Sequence, residues 1–342
     1  MYREWGAIIS GGVEICGVRA TVIPRRFSTG DPVIEEHKFV AHRDRAQVSL
    51  REAIRLSTHI AIEYHQAIHV KIIELIDDSD NVTMDELASP ILTEILDDLP
   101  LIQTKVQLSA PSNRFTNDSL PSNVIAVDIN KVTQEENILL AVGIGLLSKN
   151  KKHQLEQILP KIKKDGFVLT REKSFKLENL STLPKQGLDV ILEKNTGEET
   201  IILLKKKEHL VSKTEVIHVN NDEFTWLKKL NSLMNTEKDT TDMRIILVSE
   251  GDLESGLLGF VNCLRKEPGG EMIRSVLIQD IKAPKFSLQD SLYLEQLQLD
   301  LPINVLRPGK VWGSYRHQPL SNPQPKLVRH AYVDQMVCNN TK

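Results

Sequence analysis

The histidines are the residues in this sequence that most directly suggest metal or catalytic chemistry. His65 and His69 are four positions apart, a spacing that places two metal ligands on one face of a helix. No acidic residue completes a His-Glu-x-x-His motif around them, and no third ligand is evident. We therefore predict two exposed helix histidines. The other candidates share no ligand spacing and are expected at linker or surface positions, or support no assignment: His37, His42, His59 and His330.

Nucleophilic catalysis also lacks a supporting motif. The sequence contains no Gly-x-Ser-x-Gly elbow. Cys263 falls in a predicted amphipathic helix, where a small buried apolar side chain is the expected role. The three cysteines lie far apart and form no Cys-x-x-Cys pair, which argues against a zinc ribbon or a disulfide scaffold. With no secretory signal pattern at the start, these features predict a reduced, cytoplasmic compartment.

Phosphate binding requires glycines between a strand and the helix that follows it. The predicted strand at 244–248 is followed by SEGDLESG at 249–256, which is not Gly-x-Gly-x-x-Gly. Three carboxylates there would repel a phosphate group, namely Glu250, Asp252 and Glu254.

Two other segments match a nucleotide loop no better. The segment 109–113, after the predicted strand at 105–108, contains no glycine. Gly143 and Gly145 lie within an apolar run with no predicted strand before it. The sequence thus predicts a nucleotide-binding architecture whose ligand loops are missing.

Two short basic runs remain, at 149–152 and 205–207. A solvent-exposed face is the expected explanation, and recognition of a carrier or a phosphate is the alternative.

Composition limits the classes of function. The chain has 342 residues, a formal net charge of -3, 40% hydrophobic and 26% charged residues, which fits a globular protein of roughly two domains. The near balance of charge gives no footprint for nucleic acid or an anionic membrane surface. The longest apolar run, at 138–147, has 10 residues, against the ~20 of a membrane helix.

The predicted elements give an α/β chain. Two strands meeting at Gly11-Gly12 predict a hairpin that lacks partners, followed by a linker from Pro24. Helical spacing runs through 46–76, a second helix starts at Thr83 and resumes from Pro90 to Leu99, and 133–147 suits a helix or a less regular apolar segment. Further predictions are a loop at 109–123, helices at 153–164 and 257–266, and strands at 105–108, 124–127, 166–169, 186–207 (two, around a turn at 195–197), 244–248 and 273–278.

One segment resembles a known family. The run GLLGFVNCLRKEPGG at 256–270 is similar to a helix and turn in the inactive, structural half of the ketoreductase of animal fatty acid synthase, and related polyketide synthases carry a similar pattern. The resemblance continues in order at 304–305, 312–317 and 330–333. The tail at 334–342 departs from the pattern.

Upstream segments resemble other parts of the same synthase. Residues 9–17 and 24–26 are similar to the last strands and exit of its dehydratase, and residues 99–101, 105–106 and 159–167 are similar to its degenerate methyltransferase. The resemblance implies four regions: the end of a dehydratase hot-dog domain at 1–27, a linker at 28–46, a helical segment and truncated pseudo-methyltransferase at 47–206, and a pseudo-ketoreductase at 207–342. The implied fold is α/β, with degenerate Rossmann-like open sheets after a short β segment and helices.

The resemblance implies a structural role. It predicts a non-catalytic segment that links dehydratase to ketoreductase and supports the catalytic ketoreductase half, with no catalytic, cofactor-binding or metal residues in this chain. The parent family uses NADPH and phosphopantetheine and is homodimeric. Its remaining domains are the expected partners, with neither nucleic acid nor membrane among them. The predicted core comprises 244–248, 257–266 and 273–278, with Trp226 and Trp312 as large buried side chains.

Two alternatives remain open. The first is a free-standing Rossmann-like enzyme that binds NADPH or S-adenosylmethionine through an atypical loop. The second is an independent scaffold protein, which would not leave the hairpin at 1–26 with an unpartnered edge.

Overall fold

The computed structural model describes most of the chain between residues 35 and 320. The residues described are 8–10, 13–16, 35–65, 68–97, 99, 102–111, 114–115, 120–121, 123–128, 136–173, 183, 186–207, 213–220, 223–236, 243–251 and 256–320. None of the helices in these ranges combines the length and hydropathy that crossing a lipid bilayer requires.

The chain divides into two compact units. One takes Met1–Glu36 and His317–Lys342, and the other takes His37–Arg316. In the first unit, strands β1 (Ile8–Ser10) and β2 (Val13–Ile15) pair antiparallel, with Ser10 opposite Val13. This confirms the predicted hairpin over those residues. The rest of its predicted strands, apart from Cys16, lies outside the described residues.

Strands and helices alternate along the rest of the chain. The helices are α1 (Leu50–His65), α2 (Ala88–Asp97), α3 (Lys152–Ile158), α4 (Thr225–Thr236), α5 (Leu257–Leu264) and α6 (Ser291–Gln298). The strands are β3 (Glu35–Ala41), β4 (Arg43–Gln47), β5 (His69–Leu75), β6 (Gln103–Ala110), β7 (Val124–Asp128), β8 (Ile138–Ile144), β9 (Ile162–Glu172), β10 (Leu188–Asn195), β11 (Thr200–Lys206), β12 (Lys213–His218), β13 (Met243–Glu250), β14 (Ile273–Ile278), β15 (Ile303–Arg307) and β16 (Val311–Pro319).

The larger sheet has eight strands in the order β4-β10-β11-β9-β8-β5-β6-β7. Strands β5 to β9 run parallel to their neighbours in that group, and β11 runs antiparallel to both β9 and β10. Helices α1 and α2 pack on one face, and α3 packs on the other. Because both faces are covered, the central strand β8 consists of apolar residues and glycine along its whole length.

The smaller sheet has six strands in the order β12-β13-β14-β15-β16-β3. Strands β12 to β15 are parallel, and β16 returns antiparallel to β15. Helices α4 and α5 cover one set of its side chains and α6 covers another. The molecule therefore has the expected α/β class with two open, Rossmann-like sheets.

Several predicted elements have different types or ends. The helical pattern at 46–76 divides into α1 and β5, because Ile72 and Ile73 both lie buried inside the sheet and their spacing is not that of a helix face. The run at 133–147 contains strand β8, all but one of whose residues are buried. The helix expected to reach residue 164 ends at Ile158, and β9 begins at Ile162.

Other side chains differ from expectation in burial. Residues 35–41 and 43–47, all but Gln47 within the expected linker at 28–46, form β3 and β4. Cys263 is exposed rather than buried, because it lies on the outward side of α5. Trp226 and Trp312 are half-buried, and the Trp226 indole N–H donates to Asn220 O at 3.1 Å.

Candidate functional site

The first candidate site lies at the carboxyl ends of β5 and β8. Connections leave β5 towards β6 and β7 on one side, while β8 and β9 lie on the other. Ligands of open α/β sheets bind at such a switch point, beyond the carboxyl ends of the strands. We call the loop 76–80 after β5, together with Lys151 beyond β8, the switch-point crevice.

The loop 76–80 binds its own backbone. Asp77 Oδ1 accepts from the Ser79 amide at 2.8 Å, and Asp80 Oδ2 accepts from the Asp77 amide at 3.0 Å. The Asp80 and Val82 amides donate to carbonyl groups of Asp77 and Asp80. In a glycine loop these amides would donate to a ligand. Here they donate hydrogen bonds to oxygen atoms of the loop itself.

A lysine closes the crevice from the other side. Lys151 Nζ contacts Asp80 Oδ1 and lies 3.2 Å from Asp77 Oδ2, which also accepts from Gln154 Nε2 at 2.8 Å. Burial opposes the charge of Asp77, but hydrogen bonds from Ser79 and the Lys151 ammonium hold its pKa below the ordinary value. The crevice therefore contains an ion cluster made by the protein itself.

The adjoining backbone is satisfied in the same way. Glu74 is buried at the end of β5 and accepts from the Ala88 and Ser89 amides at 2.8 and 2.7 Å, at the start of α2. Burial raises the pKa of Glu74, and the hydrogen bonds from Ser89 and Ala88 oppose that rise. The Leu146 and Leu147 amides donate to Thr170 Oγ1 and Glu172 Oε1 at 3.1 and 3.0 Å.

Gly143 and Gly145 belong to strand β8 and its turn, which corrects the expectation that no strand precedes them. A Cβ on Gly143 would lie 2.9 Å from the Leu146 side chain, so a tight local turn explains this glycine. Gly145 has a φ of +64° and donates its amide to Arg171 O at 2.8 Å. Both glycines thus serve the turn.

The smaller sheet ends similarly. Glu250, the last residue of β13, accepts from the Phe286 amide at 3.0 Å. Beyond β14, Asp280 accepts from the Lys282, Gly309 and Lys310 amides at 2.9, 3.1 and 3.3 Å. These hydrogen bonds, led by the one from Lys282, lower the pKa of Asp280. Asp252 and Glu254 lie outside the described residues.

The switch-point crevice does not fit S-adenosylmethionine, whereas most of the loop after β13, at 252–255, lies outside the described residues. S-adenosylmethionine at β5 or NADPH at β13 would need amide donors directed at the ligand. The amides described above already donate to carboxylates or carbonyls of the chain, and carboxylates stand where a phosphate would approach. We therefore derive no step through either cofactor.

The second candidate site is a buried charge cluster where the two sheets meet. Asp300, in a loop after α6, accepts from Arg274 Nε and Nη2, each at 2.8 Å, and from the Tyr64 hydroxyl at 2.8 Å. Arg274 belongs to β14 of the smaller sheet, and Tyr64 belongs to α1 on the larger one. Asp300 has a φ of 51°, a left-handed conformation that aspartate tolerates better than most residues.

Lys205 joins this cluster from β11. Its Nζ lies 3.4 Å from Asp165 Oδ1 and 3.8 Å from Asp300 Oδ2, donates to Leu299 O at 3.2 Å, and lies 3.9 Å from the centre of the Tyr64 ring. Asp165 reaches it from an irregularity in β9, where the pairing with β8 shifts between Ile138 and Leu140. We call Tyr64, Asp165, Lys205, Arg274 and Asp300 the junction network.

Burial and charge shift the pKa values in this network strongly. Burial opposes the charge of Asp300, but Arg274 and Lys205 outweigh it and hold the pKa of Asp300 far below its usual range. Burial lowers the pKa of Lys205 to about 8, although Asp300 and Asp165 act in the opposite direction. Burial and the charge of Asp300 raise the pKa of Tyr64 well above its ordinary value.

The end of α1 is tied to the smaller sheet beside this network. Arg265 Nη2 donates to Tyr64 O at 2.9 Å and Glu63 O at 3.3 Å, and its Nη1 donates to Ile273 O at 2.9 Å. A cation at the carboxyl end of a helix complements the helix dipole. A Cβ on Gly270 would lie 2.3 Å from Leu264 O, so the turn after α5 requires glycine there. Arg265 and Gly270 both belong to the sequence pattern at 256–270.

The histidine predictions are corrected in part. His65 ends α1 while His69 begins β5, so the two do not share a helix face, and His65 Nε2 contacts Asp165 O at 2.8 Å. Burial lowers the pKa of His65 to about 3. His42, expected at the surface, is 4% exposed because it is enclosed between the two sheets. His37 and His69 are exposed, His59 is half-buried, and His330 lies outside the described residues. Among the described residues, no three His, Cys, Asp or Glu side chains come together to hold a metal.

The basic runs contain the residues that sequence reasoning missed. Lys205 is 3% exposed and Lys151 is 9% exposed, whereas a solvent-exposed face was expected. Their carboxylate partners are far away in the sequence, so local charge runs gave no sign of their burial. A clearer signal was available for the crevice: the segment IIELI at 72–76, apolar except for Glu74, is followed at once by Asp77, Asp78 and Asp80.

One family comparison matches the smaller sheet. The family described as "Fatty acid synthase, pseudo-KR domain" matches residues 223–320. This range contains α4 to α6, β13 to β16 and the 256–270 pattern. The match supports the resemblance to fatty acid synthase and to its pseudo-ketoreductase.

Solved structures with some similarity include several methyltransferases. A fibrillarin pre-rRNA processing protein of Methanococcus jannaschii has 12% identity and a TM-score of 0.31 over 41% of this chain and 68% of its own. The CurJ carbon methyltransferase has 12% identity and a TM-score of 0.31, and the chain covers 49% of it. An O-methyltransferase of Thermotoga maritima has 13% identity and a TM-score of 0.32, over 48% of this chain and 69% of its own. TM-scores this low carry no argument.

Proposed function

We propose that this chain is a non-catalytic structural segment of a multifunctional fatty acid synthase of the animal type. The synthase as a whole would carry out fatty acid biosynthesis. It links the dehydratase to the ketoreductase and supports the catalytic ketoreductase half. One observation carries the proposal: the amides described at the carboxyl ends of both sheets bond to the chain's own carboxylates and carbonyls. Its charged residues therefore hold the protein together at the positions where related architectures hold ligands.

The junction network supports a spacer role. A segment that positions two enzymatic domains must keep its own parts in a fixed arrangement. Asp300 joins Arg274 of the smaller sheet to Tyr64 and Lys205 of the larger one, and all but Tyr64 are nearly fully buried. A buried ion pair is stabilising only when its geometry is good and its remaining hydrogen-bonding groups have partners. Sliding one sheet over the other would break these contacts and is therefore disfavoured.

The finer points follow from the family resemblance. The proposed divisions are 1–27, 28–46, 47–206 and 207–342, in the order dehydratase end, linker, truncated pseudo-methyltransferase and pseudo-ketoreductase. The proposed partners are the remaining domains of the synthase, within a homodimeric parent in the cytoplasm. NADPH and phosphopantetheine would serve those other domains.

Exposed apolar side chains support a docking role for the matched segment. Among the described residues, seven large apolar side chains are exposed, and five lie within 223–320: Phe224, Ile281, Leu288, Leu294 and Leu320. Ile281, at 86% exposed, projects furthest into solvent. Burying Ile281 against a partner domain would remove this apolar side chain from water, which favours docking at that position.

The test measures thermal unfolding of the chain with millimolar NADPH or S-adenosylmethionine, and then binding to a separately expressed catalytic ketoreductase half. We expect no shift with either cofactor and a measurable complex with the catalytic half. Ile281→Asp should weaken that complex, whereas Ile68→Asp, at a position 61% exposed outside the matched segment, should leave it unchanged.

A clear rise in the unfolding temperature with either cofactor would sink the proposal, because a ligand that binds only the folded state stabilises it. Such a rise would favour a free-standing enzyme with an atypical loop. Equal weakening by Ile281→Asp and Ile68→Asp would instead reject the matched segment as the docking surface.

A further inference from the structure

A cavity of about 400 Å³ opens where the apolar cores of the two sheets meet. This volume falls within the range of small-molecule sites. One wall is a face of α6, and the others come from β10, from the start of β16 and from the junction of β3 with β4. Leu299 packs against the core of the larger sheet, and Leu292 packs against that of the smaller one. The apolar lining residues are Ile191, Leu292, Leu299, Val311 and Trp312.

One polar side chain in the α6 wall is almost completely buried. Gln296 is 6% exposed and lines the cavity together with Leu292 and Leu299. Because these residues are spaced by four and three positions, they share one face of the helix. The small accessible part of Gln296 therefore lies on the face that borders the cavity.

Hydrogen bonds determine which end of the Gln296 amide is free. Asn304 Nδ2 donates to Ser275 O and Leu301 O at 3.0 and 2.9 Å, so Asn304 Oδ1 is left as an acceptor. Gln296 Nε2 donates to that oxygen at 2.8 Å. Gln296 Oε1 is then the remaining acceptor. Within the described part of the chain no donor reaches Oε1, and this atom is not closed off from solvent.

The charges of the lining favour a neutral ligand. Its charged members are exposed and of both signs, namely Arg43, Lys310 and Glu295. The two buried polar members carry no charge at pH 7, because Gln296 is an amide and burial lowers the pKa of His42 to about 3. A charged group placed against an apolar wall without a buried counter-charge is costly. A hydroxyl group avoids this cost, since it can donate to Gln296 Oε1 without carrying a charge.

We propose that this cavity binds a small neutral phenol. The hydroxyl group donates to Gln296 Oε1, and the ring packs against Leu292 and Trp312. The Trp312 ring already packs edge to face with Tyr293, at 6.1 Å between ring centres, and an aromatic ligand extends this packing. This binding activity goes beyond the structural role proposed above and does not depend on it.

The experiment titrates the full chain with 4-propylphenol and 4-propylanisole, and calorimetry measures both affinities. The two probes share the ring and the alkyl chain, but the anisole has no hydroxyl proton to donate. We expect the phenol to bind severalfold more tightly. Gln296→Met should weaken the phenol about fivefold and leave the anisole unchanged, because one hydrogen bond is lost. Gln298→Met, at an exposed position of the same helix, is the matched control.

A second pair of variants covers the case in which Gln296→Met does not fold. Val311→Phe places a larger side chain in the cavity and should abolish binding of both probes. Val127→Phe makes the same change at a half-buried position of β7 outside the cavity and should leave both affinities unchanged. Equal affinities for the two probes, an unchanged affinity for the phenol in Gln296→Met or Val311→Phe, or no binding of the phenol at millimolar concentration would each overturn the proposal.

Discussion

The junction network and the switch-point crevice use the same residue types for different purposes. In each, a buried lysine faces aspartates that are distant in sequence. Asp300 accepts from side chains of both sheets, and its partner Tyr64 is 236 positions away. Asp77 and Asp80 accept hydrogen bonds from amides of their own loop and also contact Lys151. The first arrangement fastens two sheets, and the second closes one loop.

This difference shows what determines the role of a buried carboxylate. Where a buried carboxylate accepts hydrogen bonds from side chains that are distant in the sequence, removing it leaves several buried cations without a counter-charge. Where the donors are nearby amides, much of the local structure survives the loss of one charge. We therefore expect the junction to respond far more strongly to substitution than the crevice does.

The largest effect is expected for Asp300→Ala. It would leave Arg274 and Lys205 buried without their main counter-charge, a situation that costs about 3–5 kcal/mol. The measurement is the free energy of unfolding from urea denaturation at pH 7. Asp78→Ala removes an exposed aspartate and should change it by less than about 0.5 kcal/mol. Similar small losses in both variants would contradict a fastening role for Asp300.

A slightly smaller effect is expected for the pH dependence of the free energy of unfolding, to which Lys205 contributes. The unfolded chain keeps this proton up to a pH of about 10.4, whereas the folded chain releases it near a pKa of about 8. The unfolded state thus binds more protons between these values, and stability rises with pH there by about 3 kcal/mol. Above pH ~10, Tyr64 acts in the opposite direction, because its raised pKa keeps its proton on the folded chain.

The measurement compares urea denaturation at pH 7.5, 9 and 10 for the native chain, Lys205→Met and Lys207→Met. We expect the rise to vanish in Lys205→Met and to persist in Lys207→Met, since Lys207 is far more exposed at its side chain than Lys205. A rise of equal size in all three proteins would mean that Lys205 titrates in the junction as it does in solution.

Much of the fold followed from the sequence where local signals agreed. The β10–β11 hairpin has β-rich runs on either side of a turn, and the β13-α5-β14 unit alternates clearly between strand and helix. Hydrophobic periodicity does not identify a strand that is buried on both faces. Such a strand shows no alternation, so its pattern predicts a helix over β5 and does not distinguish a helix from an irregular segment over β8.

The candidate sites were harder to predict than the fold. The sequence did indicate carboxylates where a phosphate loop would stand, at Glu250. It gave no sign that Lys205 is buried, because the neighbouring lysines suggest a solvent-exposed run, while the compensating Asp300 comes from the other sheet. The contacts of His42 with Ser314 are equally remote, at 272 positions. Such contacts exist only once both sheets are in place.

The smallest effect is expected for Lys151→Met in the crevice. Asp77 and Asp80 would lose their ammonium partner but keep the amides of Ser79 and Asp77 as donors. Met also preserves the packing of the aliphatic stem. We expect a loss of about 2 kcal/mol in the free energy of unfolding, below the ~3–5 kcal/mol of a buried charge left without compensation, because the loop amides still donate to both carboxylates.

Salt dependence sharpens this contrast, because screening acts more on charges that reach solvent than on buried ones. Of the two carboxylate partners of Lys151, Asp77 has a side chain that is 21% exposed and Asp80 has one that is 5% exposed, while the Arg274 side chain is 9% exposed. Raising the salt concentration should therefore weaken the Asp77 contact and reduce the effect of Lys151→Met in part, while leaving that of Asp300→Ala nearly unchanged. If Lys151→Met proved as damaging as Asp300→Ala and equally insensitive to salt, the crevice would be a second fastening point, and the distinction between local closure and long-range fastening would fail.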